Sequence, residues 1–96
     1  MFGRKAKTLN KQDRTKEING MLKIVQKNTE ESPKYFNKLL GFLSDPIPEN
    51  RIATCKALGK TADESAFTNI SYWLQKEQDE DVINAMKEKT ILIFKQ

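Results

Sequence analysis

The side chains that most often perform catalysis or bind metals are scarce in this chain. Histidine is absent and Cys55 is the only cysteine. Disulfide frameworks, zinc sites with cysteine and histidine ligands, and nucleophiles activated by histidine are therefore excluded. Chemistry by carboxylates alone needs acids held in a pocket, and a chain of 96 residues has little material with which to build one. We therefore expect no enzymatic activity, no bound metal and no cofactor.

Cys55 stands among small and apolar residues of a predicted helix, with Ile52 and Leu58 on the same side. A thiol in such surroundings behaves as a small hydrophobic side chain, and the chain has no histidine to activate it. We predict that Cys55 is part of a helical core and is not a nucleophile.

Positive charge is concentrated near the N-terminus. The net charge is +4, but residues 1–38 hold ten Lys and Arg against four Asp and Glu, whereas residues 39–96 hold seven against nine. Such a segment is either a solvated tail or a binding site for nucleic acid or an anionic surface. The basic residues concerned are Arg4, Lys5, Lys7, Lys11, Arg14 and Lys16. Phe2 is the one aromatic residue near them and no recognition motif is present, so a solvated tail is favoured.

Length and composition are typical of one small soluble domain, because 38% of the residues are hydrophobic and 31% are charged. No apolar run approaches the ~20 residues that a membrane span needs, and the polar start of the chain does not resemble a signal peptide. We predict a cytoplasmic protein without membrane contact. Residues 1–10 are expected to form a flexible basic tail, and residues 11–96 a single domain.

Apolar residues recur at spacings of three and four along most of the chain, which predicts amphipathic helices. Ser32 and Pro33 suit the start of a helix, and Pro46 and Pro48 interrupt the next one. No segment alternates with a period of two, so we predict no sheet. The expected architecture is all-α, with five helices over approximately residues 11–28, 32–44, 48–59, 61–76 and 79–96.

Three further signals set the predicted helix ends. Gly59 suits the left-handed position that follows many helices. Thr61 and Glu64 have the spacing of a capping box, in which each side chain bonds a backbone amide of the other. Asp79 suits the N-cap of the last helix.

The apolar pattern repeats with an offset of 31 residues, which predicts two stacked helix pairs in a short solenoid. Neither pair could bury its apolar face alone, but stacking would give a continuous core. The matching positions are Leu39 and Ile70, Phe42 and Trp73, Leu43 and Leu74, Glu49 and Glu80, Ile52 and Ile83, and Cys55 and Met86.

The segment LLGFLSDPIPENRIATCKALGK, residues 39–60, resembles one unit of the short HEAT-like repeat named after phycobilisome lyase subunits. The resemblance rests on the Asp-Pro turn, on Asp45 and Arg51, and on the ending Ala57-Leu58-Gly59. It implies an α-α superhelix that works as a scaffold. It also implies that Asp45 and Arg51 brace the turn by a hydrogen-bonded ion pair.

The chain departs from the repeat pattern at several positions. Asn50 stands where the family prefers valine, and Ile47 stands where it often has aspartate as N-cap. The second unit, through Val82 and Ile83, keeps the apolar pattern but lacks the arginine. Residues 1–32 match nothing beyond being helical.

The sequence therefore favours a non-catalytic module for protein–protein interaction, whose partner is another protein or a second copy of itself. Helical phase predicts an outward surface on the second helix of each pair. Trp73, beside Tyr72, is either an interface anchor or buried between repeats. The apolar run from Ile91 to Phe94 either packs inside the domain or covers a dimer interface. The candidate partner-binding residues are Arg51, Lys56, Asn84, Lys87, Trp73 and Phe94.

Two other functions remain open at this point. Nucleic-acid or anionic-surface binding would use the basic N-terminal segment and would weaken steeply with salt. Phycobilin lyase activity follows only from the name of the repeat family and would require a chromophore pocket.

Overall fold

All regular structure in the described part of the chain is helical. The computed structural model describes residues 13–61 and 63–94, the last three by their backbone alone. The prediction of an all-α fold with five helices is confirmed for these residues. The helices are α1 (Thr15–Gln26), α2 (Ser32–Gly41), α3 (Pro48–Thr61), α4 (Glu64–Leu74) and α5 (Glu80–Phe94), with a 3₁₀ turn at Phe42–Ser44 after α2. The predicted basic tail, residues 1–10, lies outside the described residues.

The starts of the last two helices are fixed by aspartates. Asp63 caps α4, because its Oδ1 accepts a hydrogen bond from the amide of Ser65 at 2.7 Å. Asp79 caps α5 as predicted, accepting from the amides of Asp81 and Val82. The capping box predicted for Thr61 is wrong, since Thr61 is the last residue of α3 and its hydroxyl donates to the Leu58 carbonyl oxygen.

Ser32 acts across the turn and does not cap its own helix. Its hydroxyl donates to the Ile24 carbonyl oxygen of α1 at 2.9 Å and accepts from the Thr29 amide at 2.8 Å. Between them, Asn28 has a φ of 57°, in the left-handed region that asparagine tolerates better than most residues. Ser32 and Asn28 together fix the angle at which α1 leads into α2.

Gly59 does not end α3, because the helix continues to Thr61 and no glycine in the described residues has a positive φ. Its role is steric. A Cβ atom at this position would lie 2.8 Å from Cδ of Lys89 on α5. The absence of a side chain therefore leaves room for the Lys89 side chain to lie against α3.

The helices form two layers. In one layer, α3 lies between α1 and α5 and packs against both. The other layer contains α2, which packs on α1, and α4, which packs on α5. The resulting body is flat, with principal extents of 46 × 30 × 15 Å. None of the described helices is long and apolar enough to cross a membrane.

The apolar stripes of all five helices meet between the layers. Each such side chain contributes about 1.5–3 kcal/mol when it leaves water, so this core supplies the main driving force for folding. The largest fully buried apolar side chains are Ile18, Leu39, Leu43, Leu58, Ile70, Val82 and Met86.

Candidate interaction surfaces

A buried polar network joins the turn before α3 to the start of α1. Asn50 is fully buried; its Nδ2 donates to Oδ1 of Asp45 at 3.1 Å, and its Oδ1 accepts from the Arg14 amide at 3.0 Å. Asp45 also accepts from the Ile47 amide, and its Oδ2 lies 3.3 Å from Nε of Arg14. We call Arg14, Asp45 and Asn50 the Asn50 network. It explains why asparagine occupies a position where the resemblance led us to expect valine.

Arg51 does not pair with the carboxylate of Asp45, so the ion pair implied by the resemblance is absent. Its Nη1 donates to the Asp45 backbone carbonyl oxygen at 2.7 Å. Its Nε and Nη2 bind the two carboxylate oxygens of Glu77, both at 2.8 Å. The Asp45 carboxylate is instead bound by Arg14 and Asn50. Arg51 therefore braces the turn as expected, but its ionic partner comes from the loop after α4.

The Arg51–Glu77 pair has little exposure, since the two side chains are only 17% and 6% exposed. A bidentate pair shielded in this way fixes orientation more firmly than an exposed one. Helical phase predicted that Arg51 faces a partner; the structure places it against Glu77 instead. We therefore assign Arg51 a positioning role between α3 and α4.

An open cleft of about 800 Å³ lies between α2 and α4. It exists because α2 packs mainly on α1 and α4 mainly on α5, so the two helices are separated from each other. Its apolar lining includes the half-buried side chains Val25, Phe36 and Leu40. We call it the α2–α4 cleft.

Polar side chains from both helices form the edges of the α2–α4 cleft. Asn37 of α2 is exposed and Asn69 of α4 is half-buried, and both line the cleft. Asn69 donates to the Ser65 carbonyl oxygen one turn earlier at 2.8 Å. A carboxamide offers two N–H donors and one acceptor oxygen, so this pair can bind the peptide groups of another chain.

The predicted partner-binding residues are spread over several places. Lys56 is exposed and lines a small groove between α1 and α3 with Asn19 and Ile52. Asn84 and Lys87 are exposed on α5. None of these three residues lines the α2–α4 cleft. The structure therefore does not gather the predicted set into one site.

The aromatic candidates differ in exposure. Trp73 is half-buried and packs against the core, and its ring forms a T-shaped pair with the ring of Tyr72 at a centroid distance of 5.3 Å. Tyr72 is 51% exposed, and the ammonium group of Lys76 lies 5.2 Å from its ring centroid. Ile91 is 58% exposed, and the side chain of Phe94 lies outside the described residues.

Only two of the six basic residues of the N-terminal segment are described, and one of them is engaged within the chain. Arg14 contacts Asp45, pairs with Glu17 at 3.3 Å and lies over the Phe42 ring at 5.7 Å. Lys16 is exposed. Arg4, Lys5, Lys7 and Lys11 lie outside the described residues. Arg14 thus has a structural role that its place in a basic run did not reveal.

Cys55 is fully buried, as predicted. Burial in the core raises the pKa of its thiol to about 12, mainly by desolvation and also by the nearby charge of Glu77. A thiol with this pKa is protonated at neutral pH and is a poor nucleophile. Within residues 13–61 and 63–94 there is also no group of three or more acidic or cysteine side chains placed to hold a metal ion.

Helical phase did not indicate the α2–α4 cleft, because the outward surface that it predicted lies on the second helix of each pair. One signal was present. Asn37 and Asn69 are polar residues 32 residues apart, close to the apolar repeat of 31. In a helical repeat, a polar position that recurs with the repeat length can mark a shared surface.

Comparison of this chain with family models, with curated proteins and with solved structures found no match. The resemblance of residues 39–60 to a HEAT-like repeat therefore stays a prediction.

Proposed function

We propose that this chain is a non-catalytic protein-interaction module of the helical-repeat type, which binds a segment of a partner protein in the α2–α4 cleft. The observation that carries the proposal is the cleft itself. It combines half-buried apolar side chains, which gain from further burial, with the carboxamides of Asn37 and Asn69, which can bind a backbone. This combination is typical of sites that recognise a polypeptide.

The positions of the helix starts support the interpretation of the fold as a repeat of two helix pairs. The first helices of the two pairs begin at Ser32 and Glu64, and the second helices begin at Pro48 and Glu80. Both starts differ by 32 residues, one more than the offset of the apolar pattern.

Burial is also similar at most of the six positions matched by the offset of 31. Leu39 and Ile70 are both fully buried, as are Cys55 and Met86. Leu43 is buried and its counterpart Leu74 is half-buried against the same core. Equivalent positions with similar environments are what a duplicated helix pair requires.

The proposal that a partner binds in the α2–α4 cleft is tested by blocking the cleft in cells that express the protein. Asn37→Arg places a long charged side chain at its edge, and Asn84→Arg makes the same change on the exposed surface of α5. We expect the tagged wild-type chain and Asn84→Arg to retain the same partner protein, and Asn37→Arg to lose it. Circular dichroism checks that both variants stay folded.

Other results would contradict the proposal in different ways. Retention that Asn37→Arg leaves unchanged would show that the α2–α4 cleft is not the binding site. Loss with Asn84→Arg alone would place the site on α5, which carries part of the surface that the sequence predicted.

A further inference from the structure

One side of α2 carries aromatic rings with cations beside them. The ammonium groups of Lys34 and Lys38 lie 5.9 and 5.1 Å from the ring centroid of Tyr35. At the start of the 3₁₀ turn that follows α2, the guanidinium of Arg14 lies 5.7 Å from the ring centroid of Phe42. Tyr35 and Phe42 are about two helical turns apart, so they lie on the same side and about 10 Å from each other along the axis. We call these five residues the Tyr35 edge.

The Tyr35 edge is separate from the α2–α4 cleft, because none of its five residues lines the cleft. Asn37 and Leu40 do line it; Tyr35 lies two residues before Asn37, and Phe42 lies two residues after Leu40. Two residues correspond to about 200° around a helix, so the cleft and the Tyr35 edge use nearly opposite sides of α2. A ligand on the Tyr35 edge therefore leaves the cleft open to a partner.

The side chains of the Tyr35 edge are accessible to a ligand. Its two lysines are exposed, its two rings are half-buried, and the Arg14 side chain is 46% exposed. Along the chain, Phe2 is the one aromatic residue near the N-terminal basic residues. Folding places Phe42 beside Arg14, which is 28 residues away in the sequence. The fold thus supplies the aromatic surface that the basic segment by itself lacks.

The free charge around the Tyr35 edge is positive overall. Arg14 is held by Glu17 and by Asp45, each at 3.3 Å, and neither lysine of the edge forms an ion pair within the described residues. The exposed Glu31 lies just before α2 and offsets part of this charge. Residues 1–12, which precede the edge in the chain, add four Lys and Arg and no Asp or Glu. An anionic chain is attracted to such surroundings.

We infer that the Tyr35 edge binds single-stranded nucleic acid, as a second function beside partner binding in the cleft. Bases stack on the Tyr35 ring and on the guanidinium that lies over Phe42, and the two lysines pair with the adjoining phosphates. An unpaired strand suits this surface because its bases are free to turn toward the protein. A duplex hides the faces of its bases, and a lipid surface has no bases to stack, so neither would use the rings.

Fluorescence anisotropy with a labelled oligothymidine of about twelve nucleotides tests the inference on the full chain. We expect saturable binding that weakens steeply with salt, and weaker binding of a duplex of the same length. Tyr35→Leu keeps an apolar side chain against the core but removes the stacking surface. This change should weaken binding by about five- to 100-fold and leave the salt dependence as it is, because it removes stacking and no charge.

A second variant tests the phosphate contacts. Lys34→Gln with Lys38→Gln should lower the slope of log affinity against log salt by about 1.4, since each phosphate contact on a single strand contributes about 0.7. The matched control is Tyr72→Leu with Lys76→Gln, which alters a similar pair on α4, where the ammonium lies 5.2 Å from the ring centroid. The control should change neither the affinity nor the slope. Circular dichroism checks that all variants are folded.

Three outcomes would overturn the inference. The first is no saturable binding of oligothymidine at about 50 mM salt, where phosphate contacts are strong. The second is binding that Tyr35→Leu leaves unchanged. The third is binding of vesicles of phosphatidylserine with phosphatidylcholine in place of the oligonucleotide, which would indicate a membrane surface. None of these decides the proposed function, which depends on whether Asn37→Arg abolishes partner retention in cells.

Discussion

Replacing Asn50 by valine separates two explanations of the turn before α3. Valine is the residue that the resemblance to the HEAT-like repeat favours at this position, and it fits an apolar site. Asn50, however, is fully buried and bonds both Asp45 and the Arg14 amide. Valine can replace neither bond, so we expect Asn50→Val to destabilise the protein.

The size of the effect follows from the two hydrogen bonds. The bond to the Asp45 carboxylate contributes about 1.5–3 kcal/mol, and the bond from the Arg14 amide about 0.5–1.5 kcal/mol. Valine recovers about 1 kcal/mol through apolar burial. The Asp45 carboxylate keeps its contacts with the Ile47 amide and the Arg14 guanidinium. The expected net loss is about 2 kcal/mol, or a Tm lower by roughly 10 °C for a domain of this size.

Urea unfolding followed by circular dichroism and by the fluorescence of Trp73 measures this loss. Thr54→Val is the matched control, because Thr54 is also fully buried on α3 but its hydroxyl donates only to the Asn50 carbonyl oxygen in the same helix. We expect that change to cost less than about 1 kcal/mol. If Asn50→Val is as stable as the wild type, the Asn50 network contributes little and our account of the turn is wrong.

Three further predictions concern the core and the helices. A double-mutant cycle with Arg51→Met and Glu77→Gln should give a coupling energy of about 1–3 kcal/mol in urea unfolding, and additive effects would show that the pair is unimportant. Gly20→Ala should stabilise α1 by about 1 kcal/mol, because Gly20 lies inside a helix with no atom within 4 Å of an added Cβ; an unchanged Tm would contradict this. The Cys55 thiol should react with a maleimide at pH 8 only as fast as the protein opens, and rapid labelling would exclude the buried placement.

The raised pKa of the Cys55 thiol also determines how this residue makes the free energy of unfolding depend on pH. Well below pH 9.0 the thiol is protonated in both the folded and the unfolded state and contributes no pH dependence. Between 9.0 and about 12 the unfolded thiol ionises while the folded one does not, so stability decreases as the pH rises. The decrease should be smaller in Cys55→Ala, as measured by urea unfolding at pH 8 and pH 10.

The sequence alone determined the features that depend on near neighbours. Apolar spacing predicted five helices and the burial of Cys55, because a helix places residues three and four apart on one face. Proline chemistry predicted the break before Pro48, and Asp79 caps α5 as its position predicted. These features can be predicted without knowing where the other helices lie.

Tertiary structure decided the features that join distant segments. Arg51 bonds Glu77, 26 residues away, and Asn50 bonds the Arg14 amide, 36 residues away. Gly59 was predicted to end a helix, but it lies inside α3, where the absence of a side chain leaves room for the side chain of Lys89. The α2–α4 cleft exists only because α2 and α4 pack on different neighbours. Helical phase predicts which side of a helix is apolar, but the packing of the helices determines which distant side chain meets it.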